Sequence, residues 1–260
     1  MIYLAYDTKN ADGTPVNGHK ARCEAIAKHG DCTVFSIGEN VDLNDNDILI
    51  IDSERNDYHY LLGNCFSVLI SDEFGLVSRK QPVDHVWYIS GMSSSSVNNF
   101  TSQMIYTVDC DQHSWVGGNR VLFITGSNID GFWKSARKYE QYCFTHDIPV
   151  DIVQGGIDHD VLMEYAKSAK CVITASGVTA KEMIYMGIPC ILILTADNQL
   201  SNYMYFHKMS YSQITHPEII SDDAALRKLS GKIKKQQKLT PDHMLYIIRR
   251  TYEANKSQRA

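Results

Sequence analysis

The sequence predicts an α/β protein built from two Rossmann-like lobes, and three observations carry that prediction. Short apolar runs alternate with helix-forming segments through most of the chain. Most of these runs end in polar residues, as the strands of a parallel sheet do where ligands bind. A glycine-containing segment interrupts the alternation, which then restarts. At 260 residues the chain can form two compact lobes, which we expect at 1–116 and 117–260.

The N-terminal lobe begins with a predicted strand at 1–6, followed by a turn-rich loop. A helix is predicted at 19–28, because good helix formers dominate it and Gly30 follows as a C-terminal cap. Residues 86–116 combine loop-like serines and asparagines with a run that favours a strand at 104–108. Further apolar runs predict buried parallel strands at 33–37, 47–51 and 67–70.

The C-terminal lobe continues the alternation after a predicted linker at 115–119. Turn-forming or polar residues follow its strands, so the carboxyl ends of this sheet are again the expected place for a ligand. Strands are predicted at 120–125, 150–153, 171–174 and 188–194, and helices at 132–146, 158–169, 179–186, 222–230 and 241–254.

The composition is that of a soluble globular protein, with 44% hydrophobic and 21% charged residues. No apolar run approaches the roughly 20 residues that span a bilayer, and the N-terminus does not resemble a secretion signal. We therefore expect a cytoplasmic protein that does not bind membranes. The cysteines form neither a CxxC pair nor a disulfide ladder, so we expect reduced core thiols at Cys23, Cys32, Cys65, Cys110, Cys143, Cys171 and Cys190.

The net charge of -5 conceals a basic C-terminal end. From Arg227 onward there are ten lysines or arginines against two acids, Asp242 and Glu253. Such an end can attract phosphate, or it can be an amphipathic surface helix with a solvated tail. The chain has no GxGxxG fingerprint and no P-loop, which argues against NAD or ATP used in the usual way. The ten histidines form no HExxH pair, and we predict no bound metal and no cofactor.

Residues 171–190 form the segment with the clearest chemical signal, a predicted strand, turn, helix and turn. Gly177 lets the backbone approach a ligand, and the helix that begins near Thr179 directs free N–H groups towards the turn. A diphosphate would fit there. Glu182 lies one turn inside the helix, where its carboxylate can either complete a capping box with Thr179 or bind the vicinal hydroxyls of a ribose.

This segment resembles the nucleotide-sugar motif of the GT-B glycosyltransferase superfamily. The order Ser-Gly-x-Thr-x-x-Glu, then Gly187 and Pro189, then an Asn-Gln pair and a further Asn is similar to the MurG-like glycosyltransferases and the PseG-type UDP-sugar hydrolases. Near the N-terminus, Gly-His-x-x-Arg-Cys at residues 18–23 is similar to the opening of PseG-type proteins. The resemblance implies two lobes with a cleft between them.

The resemblance also implies roles for individual residues. His19 would be the base that deprotonates the acceptor, and Asp72, after a predicted strand, is a second candidate for the base or for the group that orients His19. The alternatives are a surface or cap histidine and a solvated strand-end acid. The nucleotide-sugar, expected to be UDP-linked, would contact Gly18, Arg22, Gly126, Ser127, Ser176, Gly177, Val178, Thr179, Glu182, Asn198, Gln199 and Asn202.

Three functions are consistent with these residues. The first is a glycosyltransferase that moves a sugar to a hydroxyl acceptor, with DNA bearing hydroxymethylated bases as one candidate because of the basic C-terminal end. The second is a PseG-like hydrolase that releases UDP from an amino-sugar nucleotide. The third is a non-catalytic nucleotide-binding module. In each case we expect a monomer or a weak dimer.

Overall fold

The computed structural model describes most of the chain. It covers residues 1–9, 13, 18–55, 57–63, 65–71, 83–89, 100–102, 114–126, 128–208, 216–231 and 240–259, with the backbone alone at 100–102, Asn198, Ser201, Lys208 and 258–259. The strands are β1 (Ile2–Tyr6), β2 (Cys32–Ser36), β3 (Ile48–Asp52), β4 (Phe66–Ser71), β5 (His85–Tyr88), β6 (Phe100–Ser102), β7 (Val121–Ile124), β8 (Val150–Val153), β9 (Cys171–Ala175) and β10 (Cys190–Ile193). The helices are α1 (Gly18–Ala27), α2 (Ile129–Thr145), α3 (His159–Lys167), α4 (Val178–Tyr185), α5 (Leu200–Lys208), α6 (Asp223–Gly231) and α7 (Pro241–Arg259).

The strands form two sheets, and every strand pair in both is parallel. The first sheet has the order β2-β1-β3-β4-β5-β6, and the second has the order β10-β9-β7-β8. Within the described residues, helices α1, α2, α3 and α4 each connect two successive strands, since parallel strands need a crossover connection. The predicted fold class, α/β with two Rossmann-like lobes, is confirmed.

The chain divides into two compact units whose limits differ from the predicted lobes. The first unit comprises Met1–Thr107 and Lys238–Ala260, and the second comprises Val108–Gln237. Helix α7 therefore belongs with the first unit, although the sequence analysis assigns it to the C-terminal lobe. The apolar face of α7 explains the difference, because Met244, Leu245 and Ile248 pack into the core beneath the first sheet.

The core of the first unit has two halves, one on each face of its sheet. Successive residues of a strand point to opposite faces, so Ile48 and Ile50 of β3 pack with α1 and α7, while Leu49 and Ile51 pack on the other side with Phe35. The continuous apolar sequence of β3 is thus the consequence of burial on both faces.

The second unit has a core between its sheet and helices α2 and α6. Phe123 of β7 packs against Phe132 of α2, with their ring centroids 5.9 Å apart. The predicted linker at 115–119 lies against this unit, because the indole nitrogen of Trp115 donates to the carbonyl of Ala169 at 2.8 Å. The amide of Val116 also donates, to the carbonyl of Lys167.

Each sheet has one place where successive connections leave in opposite directions. Strand β1 lies between β2 and β3, and strand β7 lies between β8 and β9. The gaps above the carboxyl ends of β1 and β3, and of β7 and β9, are therefore topological switch points. In open parallel sheets these are the positions where ligands bind.

The predicted elements match most of the observed ones to within a few residues. Strands β5 and β6 are exceptions, because they lie in the segment that the sequence analysis left ambiguous. Helix α5 is another, since it follows directly from a short 3-10 helix at Asp197–Gln199. The strand predicted at 104–108 lies outside the described residues.

The cysteine side chains that the structure describes are free thiols, and all are buried except the half-buried Cys32. Burial raises the pKa of Cys143 to about 11, which makes it a poor nucleophile at neutral pH. Within the described ranges, no helix is both long enough and apolar enough to cross a membrane.

Because α7 completes the core of the first unit, Ile248→Ala should lower the free energy of unfolding by about 3 kcal/mol through the cavity that it leaves. Ile248 is 1% exposed, whereas Tyr246 on the same helix is 62% exposed. Tyr246→Ala is the matched control and should change stability by less than about 0.5 kcal/mol. Chemical denaturation measures both, and equal effects would contradict the packing of α7.

Candidate functional site

The first cluster of polar groups lies at the switch point of the first unit, where Asp52 ends β3 beside α1. Asp52 is 1% exposed. Its Oδ1 lies 2.7 Å from Nδ1 of His19, and its two oxygens accept hydrogen bonds from Nε and Nη2 of Arg22 at 2.5 and 2.6 Å. His19 and Arg22 are three residues apart and so share one face of α1. Two predicted site residues thus meet a carboxylate that the sequence analysis did not single out.

The charges around Asp52 determine its protonation. Burial acts to raise the pKa of Asp52, but the positive charge of Arg22 and the contacts with His19 lower it to about 2. Asp52 is therefore a carboxylate at neutral pH and accepts the Nδ1 hydrogen of His19. In that tautomer the lone pair that takes up a proton is on Nε2. A histidine oriented by a buried carboxylate can act as a general base.

A second buried carboxylate lies beside the first. Asp7, directly after β1, accepts from Nε and Nη2 of Arg55, each at 2.8 Å, and from the hydroxyl of Ser53 at 2.8 Å. Its backbone amide donates to the carbonyl of Asp52 at 3.0 Å, which links the ends of β1 and β3. Burial acts to raise the pKa of Asp7, and the hydrogen bonds from Arg55 and Ser53 outweigh it, so that the pKa is lowered. The sequence signal for both acids was their place after apolar strands.

The role predicted for Asp72 is not tested, because this residue lies outside the described part of the chain. Among the described residues, the carboxylate that holds His19 is Asp52. The reason is the sheet order: β3 lies next to β1, and α1 packs over the face on which Asp52 projects. Gly18 occupies the first position of α1.

The second cluster lies at the switch point of the second unit, around the start of α4. Gly177 is the N-cap and α4 begins at Val178, so no side chain caps the amides of its first turn. Gly177, Val178 and Thr179 are all half-buried, and a Cβ placed on Gly177 would meet no atom of the described residues within 4 Å. Uncapped amides at the positive end of an accessible helix form a site for an anion such as a phosphate.

Ser176 differs from these neighbours. It is fully buried, and both its hydroxyl and its amide donate to the carbonyl of Ile193, at 3.2 and 3.1 Å. The hydroxyl of Ser176 is thus engaged with the backbone in this structure, and its contact with a phosphate remains a prediction. Ser176 instead ties the end of β9 to the end of β10, which fixes the turn that leads into α4.

The loops after β7 and β8 touch at the same edge of the sheet. Gly126 has a φ of 64°, which favours glycine, and a Cβ placed on Gly155 would lie 3.1 Å from the carbonyl carbon of Gly126. The side chain of Asn128 caps α2 by accepting from the amide of Gly131, and it donates to the carbonyl of Thr195 at 3.1 Å. Gly126 thus lies where the sequence analysis expects the diphosphate, and Ser127 is outside the described residues.

Glu182 does not cap α4. The capping-box interpretation requires Thr179 at the N-cap, but Gly177 holds that position and Thr179 lies within the first turn. Glu182 is 6% exposed, and its Oε2 lies 3.4 Å from Nε2 of His159 at the start of α3. The nearby carboxylate of Glu182 raises the pKa of His159. Sequence analysis did not single out His159, which lies on a different helix.

The segment after β10 carries the residues expected to bind the sugar. The side-chain oxygen of Gln199 accepts from the amide and the hydroxyl of Thr195, at 3.2 and 3.0 Å. Asn202 is 2% exposed, and within the described chain its Oδ1 has no hydrogen-bond partner. A buried amide oxygen without a donor is costly, so Asn202 is suited to receive a ligand hydroxyl. For Asn198 the structure describes the backbone alone.

No cluster of three or more histidine, cysteine, aspartate or glutamate side chains suitable for a metal occurs among the described residues. Independence from metal remains a prediction.

No protein-family model matches this chain, and no curated protein matches it. Solved structures with a similar fold include the glycotransferase of kitacinnamycin, at 12% identity and a TM-score of 0.42 over 80% of this chain and 72% of that one. SsfS6, a Streptomyces sp. SF2575 glycosyltransferase, has 8% identity and a TM-score of 0.40, over 93% and 81% of the two chains. LpCGTa, solved in complex with UDP, has 9% identity and a TM-score of 0.39, over 97% and 87%.

Similarity this weak assigns no activity to the chain, since Rossmann-like folds carry many chemistries. None of the three structures is named as a MurG-like or PseG-type protein. The resemblance to that branch therefore remains a prediction from the sequence, and function must be argued from the two clusters.

Asp52→Asn should lower the free energy of unfolding by about 3 kcal/mol at neutral pH, because Arg22 then keeps a buried charge without its carboxylate. The pKa of Asp52 falls from 3.8 to about 2 on folding. Its contribution to the free energy of unfolding is therefore complete above about pH 5 and is lost as the pH falls through 2. Denaturation of the wild type and the variant between pH 7 and pH 2 should show the difference disappearing.

Asp151→Asn is the control for this experiment. Asp151 also pairs with both Nε and Nη2 of an arginine, Arg120, but this pair is exposed. Its loss should cost less than about 1 kcal/mol. Equal losses in the two variants would show that burial of Asp52 does not matter.

Proposed function

We propose that this protein is a nucleotide-sugar-dependent glycosyltransferase of the GT-B type that moves a sugar to a hydroxyl acceptor. The observation that carries the proposal is the second switch point, where Gly126, Gly177 and the uncapped start of α4 meet at one edge of a parallel sheet. A buried carboxylate, Glu182, lies on the same helix. Amides for a diphosphate and a nearby acceptor for hydroxyl groups are what a nucleotide-sugar requires.

The donor would bind in the second unit. The amides at Val178 and Thr179 would contact the diphosphate, and Glu182 would accept hydrogen bonds from the two ribose hydroxyls. Asn198, Gln199 and Asn202 would face the sugar. Among the described residues, the side-chain oxygen of Asn202 has no hydrogen-bond partner and no atom lies within 4 Å of a Cβ placed on Gly177, which supports this arrangement. We take UDP as the nucleotide to test first, because the sequence motif is similar to that of UDP-sugar enzymes.

The first unit would supply the base. Nε2 of His19 would take the proton of the acceptor hydroxyl while that oxygen forms a bond to the anomeric carbon of the sugar. The bond between the anomeric carbon and the diphosphate oxygen breaks, and the diphosphate leaves with the electron pair. The helix amides would stabilise the negative charge that grows on it, which is why we propose that no metal is needed.

The acceptor is the finer part of the proposal. Helix α7 exposes Arg249, Arg250 and Lys256, which supports DNA bearing hydroxymethylated bases as one candidate. If water takes the place of the hydroxyl, the same base would make the protein a PseG-like hydrolase. A screen that includes such DNA, small alcohols and no acceptor separates these cases.

Gly177→Asp should weaken UDP binding by at least about tenfold, because its carboxylate would cap the amides and repel the diphosphate. Gly177→Asn caps in the same way without the charge and is the matched control. Both caps should maintain or raise thermal stability, since the N-cap has an extended backbone and open space. Isothermal titration with UDP measures the effect, and equal affinities for the Asp and Asn variants would contradict a diphosphate at α4.

His19→Ala should lower turnover by about 10²- to 10⁴-fold, the usual contribution of a general base, and should leave UDP binding unchanged. His29→Ala, at an exposed position just after the same helix, should retain activity. Turnover is measured as UDP release from UDP-sugars with and without acceptors. Stoichiometric release without any acceptor would reject the transferase in favour of the hydrolase, and unchanged turnover in His19→Ala would reject the base.

A further inference from the structure

We propose that His159 is a positioning residue, which holds the carboxylate of Glu182 in the orientation that receives the two hydroxyls of a ribose. The inference rests on the proposed function, because it concerns the nucleotide site of the second unit. It goes further because it names the residue that orients the ribose-binding carboxylate of Glu182. It also predicts a preference for ribonucleotides over deoxyribonucleotides that depends on His159 of α3.

The backbone holds His159 at a defined point. His159 is the first residue of α3, and Asp158 caps this helix by accepting from the amides of Asp160 and Val161 at 3.0 and 3.3 Å. The loop that leads to it follows β8, whose end touches Gly126. His159 therefore belongs to the same edge of the sheet as the start of α4, and its position there does not depend on a flexible segment of its own.

The contact between the two side chains connects α3 with α4. Nε2 of His159 lies 3.4 Å from Oε2 of Glu182, and the side chains are 39% and 8% exposed. A nearly buried carboxylate needs a compensating positive charge, and the imidazole of His159 lies beside it on the more exposed side. A carboxylate has about four lone-pair sites, so one contact with His159 leaves acceptors for two vicinal hydroxyls.

The charges around His159 favour its protonated form. The nearby carboxylate of Glu182 is the main cause, burial opposes it, and Asp160 and Asp158 add smaller contributions, so the pKa of His159 is raised. A charged imidazole holds the carboxylate more firmly than a neutral one. Among the described residues, these three acids are the charged groups that act on His159, and only Glu182 lies on another element.

The role of His159 can be separated from general stability by comparing two ligands. The wild type should bind UDP about tenfold more tightly than 2′-deoxy-UDP, because the deoxy ligand lacks one of the hydroxyls that Glu182 accepts. His159→Ala should lose about five- to tenfold in affinity for UDP but less than about twofold for 2′-deoxy-UDP. His159→Gln keeps a donor and should retain most of the preference. His146→Ala, at an exposed histidine of the same unit, should behave as the wild type.

The pH dependence supplies a second readout. The ratio of the two affinities cancels the titration of the diphosphate itself, which both ligands share. In the wild type this ratio should fall as the pH rises through the pKa of His159, because the neutral ring holds Glu182 less firmly. In His159→Gln the ratio should be independent of pH.

The possible results separate the role of His159 from the proposed function on which it rests. If the wild type does not bind UDP, the nucleotide site is wrong and the role of His159 fails with it. If UDP binds and Glu182→Gln abolishes the ribose preference, but His159→Ala leaves that preference intact, the role of His159 alone is overturned. Equal losses for both ligands in His159→Ala and His159→Gln would likewise overturn it, since a merely structural residue would act in that way.

Discussion

The parallel sheet imposes the constraint on which both candidate sites depend. The connections carry the chain from β1 to a neighbour on one side and then to a neighbour on the other, and they do the same around β7. At each switch point the two connections lead away from each other, so the carboxyl ends of the two strands between them stay uncovered. Polar groups can therefore lie at these ends. Asp7 and Asp52 lie at this point in the first unit, and Gly126 and Gly177 lie there in the second.

Buried charge then distinguishes the two units. In the first unit, Asp7 and Asp52 are each 1% exposed and each paired with both nitrogens of one edge of a guanidinium. Burial of an ion is costly, and these hydrogen bonds offset that cost while fixing the orientation of His19. Among the described residues of the second unit, the buried charged side chains are Lys181 and Glu182, and the amides at the start of α4 have no side-chain cap. One unit is thus suited to proton transfer and the other to binding an anion.

The sequence predicted the strands of the second unit and the start of α4 well, because local periodicity and glycine positions determine them. It could not identify Asp52 as a partner of His19, since Asp52 and Asp72 both follow apolar runs and only the strand order shows that Asp52 lies next to β1. The pair of His159 and Glu182 is likewise invisible in the sequence, because it joins two helices. Nor does any local signal tell which sheet the amphipathic helix α7 covers, and so the predicted lobe limits differ from the observed units.

The position of α7 also affects how the chain can fold during synthesis. The second unit is one continuous segment, Val108–Gln237, so all of its residues are synthesised before α7. The core on one face of the first sheet is complete only when Met244 and Ile248 of α7 join α1 on that face. Until then, apolar side chains of β1, β3 and β4 beneath the place of α7 are open to solvent, although they are synthesised before the second unit. The first unit's core thus depends on a helix that follows the whole second unit in the sequence.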